Sequence, residues 1–140
     1  IDTREWGSAT SKGKDLRDVT YTNYYPVSFG GNFAIKDTST VEQYEHVQAI
    51  SVGYGATYFL AINQKDVESC PQKDQIFAAI RTWEDARHAN AFPRAIKKLL
   101  RDPSYDWRLE AGADGNSWTL HRLVDGKSVE TFDLKRAKCY

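Results

Sequence analysis

Apolar and polar residues alternate with a period of two along the last third of the chain, and Asp114-Gly115 and Asp125-Gly126 cut that stretch into three short runs. Successive strand side chains point to opposite faces, and Asp-Gly between alternating runs is a strong hairpin signal. The pattern predicts a three-stranded antiparallel meander. A two-residue loop at Asp125-Gly126 sets Val124 opposite Lys127, Arg122 opposite Val129, His121 opposite Glu130 and Leu120 opposite Thr131. A two- or four-residue loop at Asp114-Gly115 sets Ala111 opposite Trp118, Leu109 opposite Leu120 and Arg108 opposite His121. One face then collects Trp107, Leu109, Ala111, Trp118, Leu120, Val124, Val129 and Thr131, with Arg122 and Asp133. The other collects Arg108, Glu110, Thr119, His121, Leu123, Ser128, Glu130 and Phe132.

Upstream the period changes. Residues 1–18 are polar and read as a loose arm, followed by a single domain over 19–140. Val19 to Phe29 is rich in Val, Thr and Tyr and reads as a strand, with Pro26 marking an edge or a bulge. Gly30-Gly31 reads as a turn. Ser39 and Glu42 match a capping box that opens a short helix over about 40–50, with Val41, Tyr44, Val47 and Ile50 on one face; a strand is the alternative there. Tyr54 to Asn63 reads as a buried strand and Val67 to Lys73 as a loop. Asp74 opens a long helix with a stripe of Ile76, Phe77, Ile80 and Trp83. Pro93 interrupts it, and a basic segment from Ala95 to Arg101 continues to Asp102-Pro103. The fold expected is α+β: an antiparallel sheet including the C-terminal meander, packed against one long Pro-broken helix and one short one.

Charge narrows the function. Nineteen Lys and Arg balance nineteen Asp and Glu in 140 residues, so no global field draws in nucleic acid or an anionic membrane. No apolar run is long enough to span a bilayer. The chain has no Met and begins at Ile1, which suits a mature form cut from a precursor. Cys70 and Cys139 are expected to form one disulfide tying the chain end to the middle, as in a secreted protein. Two Cys and three dispersed His give no metal-ligand spacing, and no cofactor is implied.

Directly opposed residues in an antiparallel pair sit about 4.5–5.5 Å apart at Cβ. The predicted row Arg108, His121, Glu130 therefore holds a titrating imidazole between a guanidinium and a carboxylate, a trio suited to acid–base work on a phosphate ester. Cross-strand ion pairs on a solvated face look the same. His46 lies beside Glu42 and Glu45 on the first helix and reads as solvated. Arg94, Lys97, Lys98 and Arg101 make a basic helical face that suits phosphate contacts. Tyr24, Tyr25 and Phe132 are candidate contact residues for a macromolecular partner.

Tyr44-Glu45-His46, then Arg108, His121 and Cys139, follow one another in the order Tyr-x-His, Arg, His, Cys. In this the chain resembles secreted microbial guanyl-type ribonucleases and the ribonuclease-like effectors of plant-pathogenic fungi. The resemblance implies RNA cleavage by in-line attack of the 2′-hydroxyl, with an arginine on the phosphate. It departs from that pattern in lacking an early Cys, in a long central helix, and in a Glu130 that follows the His. The expectation is a monomeric, secreted interaction protein of the effector or inhibitor kind that binds a target macromolecule, possible delivery into a host cell included. The alternative is a small ribonuclease or RNA-binding protein using His121, Glu130 and Arg108, with His46 as a further candidate.

Overall fold

The computed structural model describes residues 27–138. The expected arm, most of the first strand with Tyr24 and Tyr25, and Cys139 lie outside that range. The order is β1 (Val27–Ala34), α1 (Val41–Tyr54), β2 (Ala56–Ala61), α2 (Gln64–Glu68), α3 (Lys73–His88), α4 (Arg94–Leu100), β3 (Asp106–Ala111), β4 (Ser117–Val124) and β5 (Lys127–Lys135). The fold is α+β, with β3-β4-β5 forming an antiparallel meander.

A second sheet joins β1 and β2 in parallel, with an irregularity between Ser28 and Asn32. Gly30-Gly31 is therefore no turn. The pair sits inside β1, where glycine lets a strand deviate without ending.

Helix α1 is the hub. From Tyr44 to Tyr54 every residue is buried; it touches α3, α4, β2 and β3. Its cap is one residue later than the Ser39–Glu42 pattern predicts. Thr40 is the N-cap, and its backbone N–H donates to the Gln43 side chain at 3.2 Å. The Ser39 hydroxyl is engaged one turn earlier, accepting from the Lys36 N–H at 2.9 Å. Gly55 ends the helix at φ 63°, a left-handed conformation that a residue without Cβ adopts freely.

Two apolar clusters flank α1. Ala49 and Val52 join Trp83, Ala86, Phe92, Leu100, Trp107, Leu109, Trp118, Leu120 and Leu134. Val47, Ile50 and Tyr54 join Phe33, Ile35, Tyr44, Ala56, Cys70 and Ile76. On α3 the buried stripe is Ile76, Ala79, Trp83 and Ala86. Phe77, expected inward, is exposed, and the helix is capped by Gln72 rather than Asp74. Trp83 stacks on Phe92 at 5.7 Å, just before Pro93 opens α4. The expected loop after Val67 is in part the short helix α2, whose N-cap Asn63 accepts from the Lys65 N–H at 3.0 Å. Where α1 crosses α4, a Cβ on Gly53 would lie 2.9 Å from the Arg101 backbone nitrogen; only glycine permits that approach. No helix of the described residues is long and apolar enough to cross a membrane.

Candidate acid–base site

The first hairpin has the register that alternation predicts. Arg108 pairs with His121, Leu109 with Leu120 and Ala111 with Trp118. The loop is the four-residue version, closed by the Gly112 N–H donating to the Ser117 carbonyl at 2.8 Å. Asp114 holds it by accepting from the Asn116 N–H at 3.0 Å and the Ser117 hydroxyl at 2.8 Å. Those bonds, the Asn116 one foremost, hold its carboxyl below the usual range.

The second hairpin corrects the row. Asp125 and Gly126 take φ 51° and 75°, a tight turn with both central residues left-handed, and Leu123 pairs with Ser128 as expected. A bulge then intervenes, so that Arg122 pairs with Glu130, His121 with Thr131 and Leu120 with Phe132. Glu130 leaves the His121 face and accepts from Arg122 Nε at 3.0 Å. Phe132 turns inward, 6.2 Å from Trp107 between ring centroids, and Leu134 is buried beside it. The reason is burial. Phe132 and Leu134 share one parity, and an unbulged register would leave both in water while turning Val129 inward. Instead Val129 is 53 % exposed. The expected Arg108–His121–Glu130 row is thus not formed, and Phe132 lies half-buried on the opposite face from His121.

A different carboxylate replaces Glu130. His121, whose side chain is 14 % exposed, has Nε2 3.2 Å from Glu110 Oε2 and Nδ1 3.0 Å from Ser128 Oγ. Arg108 Nε lies 3.3 Å from the other Glu110 oxygen. Glu110 and Ser128 are diagonal neighbours of His121 across the two hairpins, within the reach of long side chains in an antiparallel sheet. Counting only directly opposed pairs misses them.

Helix α1 adds a fourth member from 63 residues upstream of Arg108 (108 − 45). Glu45, 7 % exposed, lies in the field of Arg108 and Glu110 and against the Leu109 N–H. Burial pushes its carboxyl up to about 8, against the opposing pull of Arg108. Desolvation disfavours the charged form, and here it outweighs a neighbouring cation. The site therefore combines a carboxylic acid that stays protonated at neutral pH, a guanidinium, a carboxylate and an imidazole.

The remaining candidates are scattered. Tyr44 and His46 flank Glu45 but diverge from it, as consecutive helical residues do. The Tyr44 hydroxyl donates to the Ala34 carbonyl at 2.9 Å. His46 is buried, not solvated, with Nδ1 3.7 Å from Asp106 Oδ1. On α4, Arg94 and Lys98 are exposed and Lys97 half-buried. Arg101 is drawn out of the basic face: its Nε donates to the Gly53 carbonyl at 2.8 Å and its guanidinium sits 5.7 Å from the Tyr54 ring centre. Cys70 is a buried free thiol with Sγ 3.7 Å from the Ser39 carbonyl, and its expected partner Cys139 is outside the described residues.

No protein-family model, no curated protein and no solved structure matches this chain.

Proposed function

We propose that Glu45, Arg108, Glu110 and His121 form the acid–base centre of a small ribonuclease. One observation carries this: a buried carboxyl with its pKa raised to about 8 stands within the field of an arginine whose ion-pair partner also holds the largely buried imidazole of His121. A strongly perturbed titrating group beside a charged partner marks a candidate acid–base site. Arg108 would pair with the non-bridging phosphoryl oxygens. His121, oriented by Glu110, would take the 2′-hydroxyl proton as that oxygen attacks phosphorus. Protonated Glu45 would give its proton to the departing 5′-oxygen.

The test is incubation with single-stranded RNA. The wild type should leave 2′,3′-cyclic phosphate ends, and His121→Ala and Glu45→Gln should each reduce the rate by about 10²-fold or more. Because the acid must be protonated, the rate should fall as pH rises past 8. Failure of the wild type to cleave RNA anywhere between about pH 5 and 8 would end the catalytic reading.

A second reading is a non-catalytic interaction protein of the effector or inhibitor kind. It is favoured by the β4–β5 hairpin, where Val124 and Val129 are exposed at 49 % and 53 % and β5 is an edge of its sheet. Val129→Asp should abolish partner capture, with no RNA cleavage by either protein, if this surface is the active one.

A further inference from the structure

The imidazole of His121 is held at both ends. Its Nε2 lies 3.2 Å from Glu110 Oε2 and its Nδ1 3.0 Å from Ser128 Oγ. An ionised carboxylate can only accept a hydrogen bond, so in the neutral ring the hydrogen sits on Nε2, toward Glu110. That leaves a lone pair on Nδ1, and the Ser128 hydroxyl is the donor to it. Together the two contacts fix one tautomer and aim a basic nitrogen at a serine oxygen. The imidazole is largely buried, whereas Ser128 stands exposed beside it. Ser128 lies near the start of β5, an edge strand of its sheet, just before the bulge. Bulges often sit beside active sites, where they re-aim a side chain.

A serine oxygen bonded to an imidazole that a carboxylate orients in turn is the arrangement of a nucleophilic triad, which is defined by geometry rather than by sequence position. We infer that Ser128 is a nucleophile, with His121 its general base and Glu110 the residue that positions the base, and that this centre cleaves small acyl esters through an acyl-serine. Oγ would bond to the acyl carbon while its hydrogen passes to His121 Nδ1. The carbon–oxygen bond of the ester then breaks, and the departing oxygen takes that proton. Water, losing a proton to the same nitrogen, adds to the acyl carbon; the bond to Oγ breaks, the carboxylic acid leaves and Ser128 recovers its hydrogen. Arg108, opposite His121 on β3, adds positive charge to the same face, which favours the negative oxygen of each tetrahedral intermediate. The activity shares His121 with the proposed RNA cleavage, but it has its own nucleophile and no need of Glu45. Its covalent intermediate has no counterpart in attack by a 2′-hydroxyl, so either reading can fail alone.

A fluorophosphonate, which phosphonylates activated serines and leaves ordinary ones untouched, tests this on the full chain at about pH 8, where an ordinary imidazole is neutral. Mass spectrometry should show one adduct per molecule, located on Ser128 by peptide fragmentation. With p-nitrophenyl acetate, a burst of about one equivalent of nitrophenol should precede steady turnover. Ser128→Ala should abolish both signals and unfold at the wild-type temperature, since the side chain is exposed. His121→Gln should slow labelling by about 10²-fold or more. Glu110→Gln should slow it by about tenfold or more. In the ring-nitrogen NMR spectrum, Glu110→Gln should also turn the single Nε2–H tautomer of His121 into a mixture, a change that lost stability alone does not produce. No adduct at saturating probe, an adduct elsewhere in the chain, or undiminished labelling of Ser128→Ala or His121→Gln would each overturn the assignment.

Discussion

The two Asp-Gly turns carry the same dipeptide between similar strands and lead to opposite results. At Asp125-Gly126 the loop is the tightest one, and only Gly126 and Asp125 with positive φ make it. Yet the strand it launches departs from its register after the Leu123–Ser128 pair. At Asp114-Gly115 the loop is longer, but β3 and β4 stay regular from Ala111–Trp118 to Asp106–Leu123. The difference lies in the strands. Trp107 and Leu109 face Trp118 and Leu120 with matching parity, so turn and burial agree. On β5 the turn places odd-numbered residues inward while Phe132 and Leu134 are even. Turn chemistry sets the first pair or two, and buried apolar area sets the rest. A bulge reconciles the two.

Burial on β5 gives the largest expected effect. Leu134→Ala removes a fully buried side chain from the main cluster and should cost about 2–5 kcal/mol. Val129→Ala, at the exposed bulge, should change stability by less than about 0.5 kcal/mol. Chemical denaturation of both variants checks the pair; equal losses would mean that β5 is not held by its even-numbered residues.

The next effect belongs to Glu45 of α1, packed against the first hairpin, and depends on pH. Glu45 has a folded-state pKa of about 8 against an ordinary value of 4.5. The folded protein therefore holds a proton that the unfolded chain has already released between those values, so stability falls as pH rises through that window. A tenfold difference in proton affinity between the two states corresponds to about 1.4 kcal/mol. Glu45→Gln should flatten the decline and leave the variant more stable than wild type by on the order of 3 kcal/mol at pH 8. At pH 4 the two should be nearly equal. Unfolding curves across that range decide it.

How much of this was legible depends on whether one local rule or two governed each stretch. The meander, the α+β class and the Arg108–His121 pairing follow from alternation and turn residues that agree. The β5 slip was present in the sequence as a conflict of parity between Asp125-Gly126 and the Phe132/Leu134 pair. Gly30-Gly31 reads as a turn because a local window cannot register its parallel neighbour β2. Glu45 was invisible as an acid: its raised pKa arises from burial beside a strand that lies far along the chain, and no window around Tyr44-Glu45-His46 contains Arg108. Ser39 lost the cap for a similar reason, its hydroxyl already serving the Lys36 N–H.

A smaller effect compares the turns themselves. Gly126→Ala and Gly115→Ala both place a Cβ at positive φ with open space around it, so conformation alone acts. Each should cost about 1 kcal/mol. Because two consecutive positive-φ residues make the second turn, Gly126→Ala should also slow refolding more, as stopped-flow fluorescence of the tryptophans would show. Equal refolding rates would imply that the second turn forms after the strands dock.

The finest distinction is between Glu110 and Glu130, two half-exposed carboxylates that differ in which face of the sheet they occupy. A regular second hairpin would put Glu130 on His121; the bulged one gives that contact to Glu110 at 3.2 Å and leaves Glu130 with Arg122 at 3.0 Å. Either pair is worth little in stability, less than about 1 kcal/mol, so denaturation will not separate them. The histidine will. Glu110→Gln should move the His121 ring resonances in a heteronuclear NMR spectrum and lower any RNA cleavage, because the imidazole loses the group that orients it. Glu130→Gln should leave those resonances in place and disturb Arg122 Nε instead. If the two substitutions exchanged effects, the strand would be in its unbulged register, Phe132 would face water, and Leu134→Ala would lose its expected cost as well.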